Sequence, residues 1–192
     1  MRHDRTVIGY HGCDASVAER LLAGDAFKPS DNDFDWLGRG VYFWEYGADR
    51  ALRFAQEQQA RGKVRVPVVV GAVLQLGRCF DLLDTRFTRD LAADYSSWEA
   101  IMRDAGAPLP TNAGAAPDHK LRRLDCAVLN WVLDTRAVGA RISYDSVRGG
   151  FTEGTAVFLG SGIQTETHVQ VAIRNHECIL GVFRPTHAER FR

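Results

Sequence analysis

Apolar residues alternate in strand fashion at both ends of the chain and recur at helical spacing in its middle. In "RTVIGYH" the alternation predicts a strand with Val7, Gly9 and His11 on one face and Ile8 and Tyr10 on the other. "DASVAERLLAG" predicts a short helix: Val17, Leu21 and Leu22 supply its apolar side, Ser16 and Glu19 have capping-box spacing, and Gly24 stops it. The polar "DAFKPSDNDFDW" is a turn-rich loop. "GVYFW" predicts a second strand, with Tyr42 and Trp44 on one face and Val41 and Phe43 on the other. "GADRALRFAQEQQARG" predicts a helix between Gly47 and Gly62. "VRVPVVVGAVLQL" carries the strongest strand signal, and Pro67, which lacks an N–H, belongs near its start or at an edge.

"CFDLL" predicts a short strand, and Thr85 to Asp104 has helical composition. Ala105 to Asp118 is rich in Pro, Gly and Ala and is expected to be a mobile loop. "HKLRRLDCAVLNWVLDTRA" predicts an amphipathic helix with Leu124, Val128, Trp131 and Val132 inward. A Gly-rich stretch, "YDSVRGGFTEGTAVFLGSGI", reads as irregular. Two strands close the pattern, "HVQVAIR" and "CILGVF". In the first, Val169, Val171 and Ile173 form a buried face, and His168, Gln170 and Ala172 share the opposite one. Strands dominate the ends and helices lie between, without a βαβ series or an internal repeat, which is an α+β pattern. The 192 residues suit one domain, 1–192, with its own core.

Composition narrows the function classes. The 24 basic and 24 acidic residues cancel, which argues against a protein whose main affinity comes from neutralising phosphates. Cys13, Cys79, Cys126 and Cys178 are far apart and form no C-x-x-C pair, so they suggest reduced thiols rather than a zinc site or a disulfide framework. "MRHDRTVIGYHG" has no apolar signal-peptide core, and no apolar run approaches ~18 residues. A cytoplasmic protein without a membrane span is therefore expected.

Three places carry candidate chemistry. His11 ends the first strand beside Gly12, where a ligand can meet both an imidazole and an open backbone. Tyr42 offers a flat wall for an aromatic ring, and Phe54, in the following helix, a second. Gln170 is a polar group on a late strand. Each has a plain structural alternative: a histidine bonded to a loop, aromatics in the core, a glutamine on a solvated face.

Taken in this order, "YHG", "GRGVYFW" followed by a helix, and a polar residue on a late strand resemble the ADP-ribosyltransferase superfamily. The likeness is to its poly(ADP-ribose)-polymerase and diphtheria-toxin-like branch, which is marked by a His–Tyr–Glu signature. It covers about the first 60 residues and the last 30. The ending "HVQVAIRN…CILGVFRP" is also similar to that of a group of bacterial single-domain proteins. The resemblance implies split antiparallel β-sheets with flanking helices. It implies NAD as substrate, bound without a metal. His11 would contact the adenosine-side ribose, Gly12 the nicotinamide carboxamide, and Tyr42 and Phe54 the nicotinamide ring. Gln170 would stand where the family's glutamate lies, making His11, Tyr42 and Gln170 the catalytic set.

The neutral amide at Gln170 orients hydroxyls but offers neither charge nor base. A single transfer to an already nucleophilic acceptor, protein or nucleic acid, fits that better than polymer synthesis. Glu153 and Glu166 are candidates for the missing charge, and Arg148 for the NAD phosphates. "HKLRR" and the loop around Pro108 to Pro117 are a candidate acceptor surface, with a merely solvated helix start as the plain alternative. The expected activity is mono-ADP-ribosyl transfer by an intracellular toxin or defence factor, with a neutralising antitoxin as a further partner. An NAD glycohydrolase and an inactive NAD- or ADP-ribose-binding module are the alternatives.

Overall fold

The computed structural model describes residues 3–114 and 120–186. In chain order its elements are β1 (His3–Asp14), α1 (Ala15–Leu22), β2 (Val41–Glu45), α2 (Ala48–Ala60), β3 (Pro67–Gly77), β4 (Cys79–Asp81), α3 (Thr85–Asp104), β5 (Asn112–Ala113), β6 (Leu121–Arg122), α4 (Arg123–Gly139), β7 (Ser146–Phe151), β8 (His168–Ile173) and β9 (Ile179–Phe183). The α+β class holds. The described strands form a mixed seven-stranded sheet, in the order β4-β7-β8-β2-β1-β3-β9, and a separate two-stranded sheet, β5-β6. The β4–β7 pair is parallel, because α3 and α4 form the long crossover that a parallel pair requires.

The larger sheet is narrowest where β1 meets β2, paired at Gly9↔Glu45 and Tyr10↔Trp44 with one further bond from the Tyr46 N–H to the Ile8 carbonyl at 3.0 Å. On the other side of β1, the ladder with β3 runs from Thr6↔Gln75 to Asp14↔Pro67. Strand alternation then separates two cores. Val7, Val41, Phe43, Val171 and Ile173 pack with Leu74 and with Leu21 of α1. Ala172, Val147 and Phe80 pack with Trp98 of α3 and Val132 of α4. The outer faces of both helices are solvated, as their amphipathic sequences require.

Several local expectations change. The N-cap of α1 is Asp14, whose carboxylate accepts from the Ser16 N–H at 3.0 Å, in place of Ser16. α4 begins only at Arg123, because Leu121–Arg122 extends to pair with Asn112–Ala113. That short pairing also orders part of the expected loop 105–118, whose residues 115–118 lie outside the described residues. The "SVRGGF" part of the Gly-rich stretch is strand β7, in the sheet interior. Among the described residues, no helix is long and apolar enough to cross a membrane.

Candidate functional site

Beyond Tyr10↔Trp44, β2 turns away from β1 and leaves the facing edge of β1 without a partner strand. The His11 side chain enters this opening. Its Nδ1 lies 2.9 Å from the Tyr42 carbonyl oxygen, so the ring replaces the ladder bond that the strands no longer make. A carbonyl only accepts, so Nδ1 carries the proton and Nε2 is an acceptor. Edge contact with Phe27 at 5.4 Å and a tilted contact with Phe43 at 5.8 Å fix the ring. Burial lowers the pKa of His11 and keeps it neutral, against the opposing effect of the Tyr42 bond.

The opening widens into a cavity of about 770 Å³, within the range of small-molecule and cofactor sites. His11, Gly12, Tyr42, Phe54 and Gln170 all line it. Phe54 faces it from α2 and leans on Trp44, ring centroids 5.1 Å apart. Tyr42 is less free than a bare wall. Its hydroxyl donates to the Gly38 carbonyl at 2.7 Å and accepts from the Leu37 N–H at 2.8 Å. Burial pushes its phenol well above the ordinary value, so it remains a donor. The turn it closes needs Gly38: φ is +72° there, and a Cβ would stand 2.6 Å from Asn130 Oδ1 of α4. "GRG" thus shapes the cavity rim by docking it on α4.

The floor holds a polar cluster. Gln170, 8% exposed, sits between Trp44 of β2 and Gly149 of β7. Its Nε2 is 3.0 Å from His168 Nε2. His168 Nδ1 is 2.7 Å from the Glu166 carbonyl oxygen and 3.5 Å from Glu153 Oε2. Glu153, only 1% exposed, also lines the cavity. Arg50 Nη2 donates to its Oε2 at 3.0 Å, and Lys120 Nζ lies 3.3 Å from its Oε1. Arg50, 6% exposed, also faces Glu166 at 3.5 Å and the Trp44 ring at 5.5 Å. Trp44 Nε1 is buried with no hydrogen-bond partner among the described residues.

Of the candidates for contacting NAD, Arg148 is brought elsewhere, and Glu166 stays off the cavity lining. Arg148 is buried in β7, bidentate to Glu45 at 2.6 and 3.2 Å and 3.2 Å from Asp81. It bolts β7 to β2 and β4 with its charge met by two carboxylates, and it does not line the cavity. Between the two carboxylate candidates, Glu153 is the buried one. Glu166 is more exposed and paired to Arg50 and Arg53. The cations that do line the cavity are Arg50, Lys120, Lys28, Arg61 and Lys63. The last three are exposed and form no ion pair among the described residues. Arg50 was legible in principle, since it lies four residues before Phe54 on one face of α2. Of "HKLRR", His119 lies outside the described residues, and Lys120 reaches the cavity.

The cavity's one lining cysteine is no nucleophile: burial pushes the Cys13 thiol up to about 11. Among the described residues, no three His, Cys, Asp or Glu side chains cluster to hold a metal ion.

The neutral histidines make folding pH-sensitive. Burial lowers the pKa of both His11 and His168 below their unfolded value near 6.5. Below that value the unfolded chain binds protons that the folded chain refuses, so stability is full above ~6.5 and falls as the pH drops through it. Asp14, held well below the usual carboxylate range by the N–H groups of Ser16, Arg65 and Val66, titrates in a more acid window. Urea midpoints are expected to be nearly level from pH 8 to 7 and to fall from about pH 6.5 to 5.5. A flat profile would mean that the two rings are not held neutral.

The chain matches no family model. An uncharacterised protein of Methanocaldococcus jannaschii is 27% identical over 148 residues, which cover 74% of this chain and 63% of that protein. No solved structure matches the chain.

Proposed function

We propose that the protein is an NAD-dependent mono-ADP-ribosyltransferase with an ADP-ribosyltransferase-like fold, moving ADP-ribose from NAD to a protein or nucleic-acid acceptor and releasing nicotinamide. One observation carries this reading. His11, Gly12, Tyr42, Phe54 and Gln170 come from β1, β2, α2 and β8, yet line one cavity where β1 and β2 part.

The side chains suit the parts of NAD. The acceptor Nε2 of His11 suits a ribose hydroxyl, and the open edge of β1 at Gly12 suits a carboxamide. Tyr42, Trp44 and Phe54 offer aromatic surface to the nicotinamide ring. Lys28, Arg61 and Lys63 at the rim suit the diphosphate, the role expected of Arg148. In the reaction the bond from the ribose C1′ to the nicotinamide nitrogen breaks and its electron pair leaves with the ring. The cationic sugar is then captured by a lone pair of the acceptor, which loses its proton. Glu153 supplies the carboxylate that position 170 lacks, beside an amide that orients the ribose hydroxyls.

Incubation with labelled NAD, alone and in lysate, tests this. Nicotinamide release with label on protein or nucleic acid is expected, and protease or nuclease treatment names the acceptor. Release without transfer would make the protein a glycohydrolase, and NAD binding without release a binding module. Gln170→Ala is expected to lower kcat about tenfold, the worth of one hydrogen bond, with a smaller change in NAD affinity. An unchanged rate would remove the amide from the mechanism.

A further inference from the structure

His168 is not part of the cavity lining, yet it contacts the Gln170 side chain, which is. The two residues are two apart in β8 and share a face. Their Nε2 atoms are 3.0 Å apart. An amide nitrogen only donates, so the imidazole Nε2 must accept and carries no proton. The ring proton then sits on Nδ1, where the Glu166 carbonyl accepts it at 2.7 Å with Glu153 Oε2 behind at 3.5 Å. Trp36, stacked at 6.2 Å, and Phe151, at 5.9 Å, hold the ring in that plane. With its N–H turned to the histidine, Gln170 has Oε1 left for the cavity.

We propose that His168 is the positioning residue of this site: its neutral ring turns the Gln170 amide oxygen toward the cavity, and protonation of the ring reverses the amide. A protonated ring donates from both nitrogens. Nε2–H would then face an amide N–H, donor against donor, and a half-turn of the Gln170 terminal torsion relieves the conflict by bringing Oε1 to the histidine. The cavity then loses an acceptor and gains a pair of donors, unfavourable toward a sugar that becomes cationic. The charged groups around His168 act in both directions. Glu153 and Glu166 favour the protonated ring, Arg50 opposes it, and burial is the largest influence and keeps the ring neutral. Lys120 weakens the pull of Glu153 from its far oxygen. Reversal therefore belongs to the acid side of His168's ordinary range. The catalytic meaning of the reversal rests on the ADP-ribosyltransferase reading; the hydrogen-bond switch itself does not.

Two measurements separate these levels. In nitrogen-15-labelled protein without ligand, the Gln170 side-chain amide signals are expected to shift together with the His168 ring nitrogens, with a midpoint below 6.5. In His168→Gln, which keeps an acceptor near Nε2 but does not titrate, the Gln170 signals are expected to stay flat. A Gln170 amide that ignores the His168 titration, or a proton on His168 Nε2 at pH 8, overturns the proposal. With NAD, His168→Ala is expected to lower kcat at pH 8 about tenfold with KM nearly unchanged, and His168→Gln to recover most of that loss. His168→Gln is also expected to hold its rate at acid pH where the wild type falls. An acid fall identical in the two proteins counts against the switch. Coupled signals without NAD turnover at any pH would leave the switch standing and remove the ADP-ribosyltransferase reading. Turnover with uncoupled signals would do the reverse.

Discussion

Glu153→Gln is expected to cut NAD turnover a hundredfold or more, on the order of 10²–10³, while the protein still binds NAD. The side chain keeps its shape and loses only its charge, in a place where charge is confined. Glu153 is 1% exposed, with Arg50 Nη2 3.0 Å from one oxygen and Lys120 Nζ 3.3 Å from the other. A carboxylate in such a water-poor floor acts on a nearby cationic sugar far more strongly than one in solvent. Arg50 cannot cancel it outright, because the same guanidinium also faces Glu166 at 3.5 Å and Glu57 at 3.9 Å. Stability falls too, since removing one partner strands a buried cation, a loss of about 3 kcal/mol that Arg50's other carboxylates reduce. The two effects are separated by measuring nicotinamide release well below the melting transition, with the fold verified by circular dichroism. A folded Glu153→Gln protein that turns over NAD at the wild-type rate would reduce Glu153 to a structural anchor for Arg50 and leave the reaction without a carboxylate there.

The sequence made the two ends of this cavity legible because short-range patterns control them. Alternation in β2 put Tyr42 and Trp44 together on one face, and alternation in β8 put His168 and Gln170 opposite the Val171 and Ile173 core. It also put His11 on the face of Val7, a core position. Its useful geometry arises only because β2 leaves β1 after Trp44 and opens a gap for the ring. Glu153 was no more than a candidate, because its burial depends on residues from α2, β8 and the segment before β6 meeting at one point. Strand β7 was missed for a different reason. Gly149 and Gly150 weaken strand propensity, and Ser146 and Arg148 break the apolar pattern of a buried strand. Ser146 is buried because its hydroxyl donates to the Leu76 carbonyl at 2.6 Å, and Arg148 because Glu45 and Asp81 pair with it. Those partners lie 60 or more positions away in sequence, so no local window contains the compensation.

Gly12→Ala is expected to weaken the fold and the proposed NAD site in one step. A Cβ at position 12 would stand 2.0 Å from the backbone oxygen of Ala51 and 3.2 Å from the Ala55 Cβ. A backbone carbonyl inside a helix cannot turn aside, so the strain is relieved only if α2 lifts from β1. Overpacking of this kind costs about 3 kcal/mol or more when the obstacle is rigid. The lifted helix carries Phe54 away from Trp44 and Arg50 away from Glu153, contacts now at 5.1 and 3.0 Å. A shift of about 1 Å in such groups is enough to cost ~100-fold in rate. Trimming the side-chain neighbour is not expected to help: Gly12→Ala with Ala55→Gly should stay as destabilised as Gly12→Ala alone, because the Ala51 carbonyl is the closer obstacle. Urea denaturation of both variants, with NAD binding followed by calorimetry, decides the matter. Recovery in the double variant would place the close contact at Ala55. A Gly12→Ala protein as stable as wild type, with NAD affinity intact, would mean that α2 and β1 stand further apart than the 2.0 Å approach requires, and that the cavity wall does not depend on this glycine.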